Sequence, residues 1–137
     1  MLLIENGRGE ILLQRRRQSK LGGGRWDASA ASHVRKGEDY EAAISRCAAH
    51  ELGVMQAVPW RRILSYVYTE RLGDYSENEF CALFTGRYDG PLHPNDAELD
   101  ELKWVRLTDL ADSIAADPTP YTSWLREAVT RLATRPS

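Results

Sequence analysis

Two glutamates two residues apart, Glu77 and Glu79, stand at the entrance to a predicted β-strand. In an extended chain both carboxylates point to one face, and Cys81 and Leu83 continue that face inward. Like charges set side by side against an apolar interior repel. Either a divalent cation binds between them, or the pair lies at a sheet edge and splays into water. A third acid, Glu51, falls in the last turn of a predicted helix, where the carbonyl ends disfavour a carboxylate by about 0.3–1 kcal/mol. Helix stability does not account for it, which leaves a metal ligand or a solvated surface acid. Cys47 lies one turn earlier on the same face, and Arg46 and His50 form a neighbouring pair by the same spacing. His33 follows the small residues Ala28-Ser29-Ala30-Ala31-Ser32 and reads as a hydrogen-bonding group or a ligand. Arg16 points opposite to Arg15 and Arg17 along a strand, so it can aim at a phosphate while they stay in solvent. A solvated basic strand end is the alternative. Gly22-Gly23-Gly24 precedes Arg25-Trp26 rather than Gly-Lys-Ser/Thr and a helix, which excludes a nucleotide P-loop.

The elements that must position these residues follow from patterning. Strands are predicted at Met1–Glu5 and Glu10–Arg16, joined by Asn6-Gly7, a dipeptide that accepts positive φ in a tight hairpin. Arg25–His33 reads as extended, although its alanines suit a helix equally well. The clearest helix runs from Asp39 to Leu52, with Asp39 at its start, Gly53 as the left-handed stop, and Tyr40, Ala43, Ile44, Cys47 and Ala48 as its apolar stripe. Further strands are predicted at Ile63–Thr69, Glu79–Tyr88 and Leu102–Val105. Helices near Leu107–Ala116 and Tyr121–Ala133 follow, separated by Pro118 and Pro120. This order predicts one α/β (α+β) domain with a mixed β-sheet and helices on its faces.

Composition sets the bounds. The 137 residues are 42% hydrophobic and 28% charged, enough for a single core and its cover, and this excludes a disordered chain. A net charge of −2 argues against nucleic acid as the main partner. No apolar run approaches the roughly 20 residues that span a bilayer, so no membrane partner is expected and the cytoplasm is the expected location. Cys47 and Cys81 lack metal-type spacing and read as buried thiols. Basic residues crowd into Arg15, Arg16, Arg17, Lys20 and Arg25, while Asp96, Glu98, Asp100 and Glu101 form an acidic stretch.

Taken together, Ser32 to Val54 resembles the Nudix box: Gly, five residues, Glu, seven residues, then Arg-Glu-apolar-any-Glu-Glu-any-Gly-apolar. Glu38, Arg46, Ala48, Glu51, Gly53 and Val54 match, while Ser32, Cys47 and His50 stand where the pattern has Gly, Glu and Glu. Arg46-Cys47 followed by Glu51-Leu52-Gly53-Val54 is similar to the variant box of type I isopentenyl-diphosphate isomerases, which belong to the same superfamily. The similarity continues through Arg15-Arg16 with Ser19-Lys20, Trp26 to His33, Glu77-Asn78-Glu79 with Cys81, Asn95-Asp96 with Glu98, Trp104, and Thr119-Pro120 with Trp124. The resemblance implies a Nudix-like α/β/α sandwich. It implies His33, Glu77 and Glu79 as ligands of a tightly held metal; the isomerases add two further histidine ligands and a lysine from an N-terminal extension, and this chain begins after where that extension would end, which leaves the implied cage incomplete. Glu51 would hold Mg²⁺, or Mn²⁺, together with a substrate diphosphate, and Arg16, Lys20 and Arg46 would grip that diphosphate. Ala31 stands where the isomerases carry the cysteine that exchanges protons at a double bond, and a methyl group transfers no proton. Tyr121 replaces an active-site tryptophan.

Three functions are compatible with these residues. The first is a metal-dependent hydrolase of a small diphosphate-containing molecule, such as a nucleoside diphosphate derivative, with Glu51 and Glu79 catalytic and Glu79 accepting a proton from water. The second is a diphosphate-binding or regulatory module without turnover. The third is an isomerase-like protein that lacks the thiol. Trp26, Trp60, Tyr68 and Tyr121 are the aromatic candidates to flank the organic group.

Overall fold

Leu2–Glu5 (β1) and Glu10–Arg16 (β2) are apolar at consecutive positions because both of their faces are covered. Leu2, Ile4 and Leu12 enter one core cluster, and Leu3, Ile11 and Leu13 enter the other. The computed structural model describes residues 1–72 and 74–134, with every side chain in that span except those of Glu70, Leu72, Tyr75 and Glu77. The β1–β2 turn is longer than the two-residue Asn6-Gly7 expectation. The Asn6 side chain accepts from the amides of Arg8 (2.9 Å) and Glu10 (3.0 Å), which moves the positive φ of 75° to Gly9.

The segment expected to be extended from Arg25 to His33 forms only a short strand, Trp26–Asp27 (β3). Beyond it, Ser29 takes over the ladder's bonding with its side chain. Its hydroxyl accepts from the Ile4 amide (2.8 Å) and donates to the Leu12 carbonyl (2.6 Å), so the chain crosses its neighbours and meets β1 again at a single bridge, Leu2 to Ala30. One edge of β2 pairs along its length with Leu99–Arg106 (β6), and the other pairs with β1 at Ile11 and with β3 at Gln14 and Arg15. Gln14 thus lies where β2 passes from one partner to the next.

Helix α1, Tyr40–Leu52, has the expected ends. The Asp39 carboxylate accepts from the Ala42 amide (2.7 Å), and Gly53 closes the last turn at φ 69°. Arg61–Leu72 (β4) and Tyr75–Arg87 (β5) form a longer antiparallel hairpin than the sequence pattern gives, and β5 runs parallel to β1, with Leu2 opposite Phe84. The sheet order β3-β2-β1-β5-β4 leaves β4 at an edge. Leu107–Ala116 (α2) and Ser123–Ala133 (α3) follow, the second capped by Thr122. Helix α1 covers the cluster of Leu2, Ile4, Leu12 and Phe84, whereas α2 and α3 cover Leu3, Ile11, Leu13 and Leu83. The result is the expected mixed sheet between helical layers. Cys47 is buried and Cys81 half-buried, both as free thiols. Among the described residues no helix is long and apolar enough to cross a membrane.

At Gly53 a Cβ would lie 2.7 Å from Cβ of His93, on a backbone that L residues disfavour. Gly53→Ala is therefore expected to lower stability by at least about 1 kcal/mol in urea denaturation. An unchanged midpoint would show that the helix end relaxes freely.

Candidate functional site

The last turn of α1 brings Glu51 inward to 6% exposure. Its position at a helix C-terminus is tolerated because the neighbouring loop supplies donors to the free carbonyls. The His93 amide bonds to the Leu52 carbonyl (2.8 Å), the Asn95 amide to Glu51 (2.9 Å), and the Asn95 side chain to His50 (3.1 Å). The Glu51 carboxylate itself is held by Gln14, whose Nε2 donates to Oε1 at 2.8 Å and to the Ser29 carbonyl at 2.8 Å. Burial, with smaller contributions from the Asp27 and Glu98 charges, pushes the Glu51 pKa up to about 7. The Gln14 bond and the Arg16 charge act in the opposite direction.

Asp27 is a second buried acid, 1% exposed, and burial raises its pKa despite four hydrogen bonds. Oδ1 accepts from the Ala28 amide (2.7 Å), the Trp124 indole (2.8 Å) and the Thr122 hydroxyl (3.2 Å), while Oδ2 faces Nη1 of Arg16 at 3.2 Å. Arg16 also donates from Nε to the Leu21 carbonyl (2.6 Å) and lies over the Trp124 ring. Lys20 reaches Glu98 at 2.8 Å, and Glu98 also meets His50 at 3.1 Å. These contacts hold Glu98 below its ordinary pKa, with the Lys20 bond the largest cause. The basic and acidic stretches of the sequence therefore meet: Arg15 pairs with Asp100 (2.7 Å) and Glu101 (3.2 Å), and Arg17 bonds the Asp96 carbonyl (2.7 Å).

The structure brings Glu51, Arg16 and Lys20 to one region, and Arg46, whose charge also reaches Glu51, is engaged by another partner. Arg46 is committed to Glu38 through Nε (2.8 Å) and Nη2 (3.0 Å), a two-pronged pair that drives the Glu38 pKa down to about 2. This pairing, with a further bond from Arg46 to the His33 carbonyl (3.0 Å), makes Arg46 a brace for the loop before α1 rather than an open cation. His33 is exposed on that loop. Glu79 lies on β5 opposite Tyr68, on the face that carries Cys81 and Leu83 toward α3, and its charge helps to raise the Cys81 pKa after burial. The Glu77 side chain lies outside the described residues. Among the described residues no three His, Cys, Asp or Glu side chains group to hold a metal ion. His33 and Glu79 thus join no such group among the described residues, and the third residue of the expected cage, Glu77, has its side chain outside them. A single carboxylate that shares Mg²⁺ with phosphate oxygens and water needs no such cage, and Glu51 fits that donor set.

Of the aromatic candidates, Trp60 belongs to the core, where its ring leaves no room for a Cβ on Gly86. Tyr121 is buried, Tyr68 bonds the Ser123 hydroxyl (2.6 Å), and Trp26 lies under Lys103, whose Nζ is 4.1 Å from the ring centre. Sequence reasoning missed Gln14 and Asp27. Gln14 carried a signal, a lone amide ending the apolar run Ile11-Leu12-Leu13.

The model of the NUDIX domain family matches residues 1–127. The chain is 32% identical over 133 residues to isopentenyl-diphosphate Delta-isomerase 2 of Aromatoleum aromaticum, covering 96% of this chain and 69% of that protein. It is 36% identical over 135 residues to the isopentenyl-diphosphate Delta-isomerase of Brevibacterium linens, covering 94% and 72%. Among solved structures it is similar to DR0079 from Deinococcus radiodurans, with TM-score 0.78, 28% identity, and coverage of 95% of this chain and 78% of that one. The MutT protein from Methanosarcina mazei Go1, at 20% identity, shares the fold with TM-score 0.72 over 98% of this chain and 92% of that one.

A glutamate that ionises near 4.5 when exposed and near 7 when folded leaves the unfolded chain with fewer bound protons between those values. Stability should therefore fall as pH rises from about 4.5 to about 7, by about 1.4 kcal/mol for each unit of separation between the two pKa values, and then level off. Glu51→Gln keeps the acceptor for Gln14 and removes the titration. Its urea midpoint should vary less across this window and exceed the wild-type midpoint at pH 8. Parallel pH profiles would contradict the burial of an ionising carboxylate at this position.

Proposed function

The chain belongs to the Nudix family, and from that premise we propose that it is a Mg²⁺-dependent hydrolase of a small molecule carrying a diphosphate. The observation that carries this reading is the buried Glu51 carboxylate, fixed by Gln14 in the last turn of the box helix with the Arg16 guanidinium within electrostatic reach. Glu51 would hold the cation together with the diphosphate, and the bound ion would supply charge neutralisation at the phosphate oxygens. Arg16 donates hydrogen bonds to those oxygens, and Lys20 exchanges its Glu98 partner for them. Gln14 keeps the Glu51 carboxylate turned toward the same place, so the negative charge of the ligand meets groups that are already oriented. We assign Arg46 to the Glu38 brace and leave Glu79 out of the hydrolytic step, because it faces the α3 side.

A second reading, isomerisation of a prenyl diphosphate, is favoured by the similarity to named isomerases over most of the chain. Ala31 offers no thiol or hydroxyl at the position where the resemblance requires a proton donor, so this reading needs a substitute.

Incubating the protein with Mg²⁺ or Mn²⁺ and nucleoside diphosphates, nucleotide sugars, dinucleotides and isopentenyl diphosphate, then separating products by anion exchange, tests both. We expect metal-dependent cleavage of a diphosphate linkage, reduced about a hundredfold or more in Glu51→Gln. A rearranged five-carbon diphosphate would establish the isomerase instead. Binding without any product would make the chain a diphosphate-binding module.

A further inference from the structure

Asp27 is buried beneath the proposed diphosphate site, yet it is an acid, and an acid there repels the ligand that Arg16 is meant to hold. Its two oxygens do different things. Oδ1 takes three donors, the Ala28 amide, the Trp124 indole and the Thr122 hydroxyl, which together fix the rotamer. Oδ2 is left to Nη1 of Arg16. The Arg16 side chain, 18% exposed, has a second anchor at the Leu21 carbonyl through Nε and packs over Trp124. Of the five N–H donors of a guanidinium, one at Nε and one at Nη1 are thereby used, and among the described residues the others meet no partner. The glycine turn fits this arrangement: Gly22 has φ 72°, and a Cβ there would lie 3.0 Å from the Trp124 ring, so the chain passes close over the indole that bonds Asp27.

We propose that Asp27 is a positioning residue that holds the Arg16 guanidinium with its free edge ready for the phosphate oxygens of the ligand. This rests on the reading of Arg16 as a diphosphate-binding residue. A long side chain that must be ordered on binding weakens affinity, and an anchor that orders it beforehand removes that loss. The assignment makes a prediction opposite in sign to simple electrostatics. If Asp27 only adds negative charge, Asp27→Asn attracts an anion more strongly; if it positions Arg16, the same change weakens binding, because the new amide N–H faces a guanidinium N–H.

The test is calorimetric titration of inorganic pyrophosphate with Mg²⁺ into wild type, Asp27→Asn, Arg16→Ala and the double variant. We expect Asp27→Asn to bind about tenfold more weakly when Arg16 is present and to change nothing when it is absent. In turnover the loss should fall on KM and leave kcat near wild type. Affinity that is unchanged or improved in Asp27→Asn overturns the assignment alone. Absence of pyrophosphate binding by the wild type overturns the functional reading and this assignment with it. Should Asp27→Asn fail to fold, Trp124→Phe removes one of the three donors to Oδ1; it should give a smaller loss that again requires Arg16, and no loss would overturn the proposal.

Discussion

A carboxylate buried at the end of a helix is opposed by lost hydration and by the carbonyl dipoles beside it, and the rest of this site is built around that constraint. One hydrogen bond from Gln14 meets it directly, and the same amide ties to the Ser29 carbonyl. Gln14 can do this because β2 changes partner there, from β1 to β3, so a polar side chain at the junction points into the gap between elements. An apolar residue at that position would leave Glu51 without its donor. The consequence is that strand pairing and the electrostatics of the site are a single arrangement.

Charge organises the surrounding loops in the same way. The residues from His93 to Glu98 supply amides to the end of α1 and a carboxylate to Lys20 and His50, while Arg17 returns a bond to the Asp96 carbonyl. This one segment joins the helix to the end of β2. The pairs are mostly exposed and each contributes little to stability, typically below about 1 kcal/mol. Their value lies in fixing where the cationic side chains sit.

Regular periodicity made most of the fold legible. Helix α1 announced both of its ends through Asp39 and Gly53, and β2 and α2 took their predicted bounds, since local capping and burial agree there. The Arg25–His33 segment was less legible because Ser29 bonds through its side chain, a choice that depends on strands distant in sequence. The site divides likewise. The anomaly of Glu51 was visible from its place in the helix, and Arg16 from strand alternation. The Glu38–Arg46 pair closes a loop eight residues apart, and its geometry could not be read from spacing alone. Asp27 gave no sign because two of its donors, Thr122 and Trp124, come from the start of α3, almost a hundred residues further along the chain.

Strand β4 closes the sheet with a twelve-residue run whose outer rim has no neighbour among the described residues. A long bare rim is a template for another chain, and proteins guard such edges with charge. Arg61 and Arg71 stand exposed along this one, so two copies meeting rim to rim would bring cations together. That repulsion is screened beyond about 10 Å at 0.1 M salt. The electrostatic guard on this rim is therefore strongest in dilute salt and weakens as ionic strength rises.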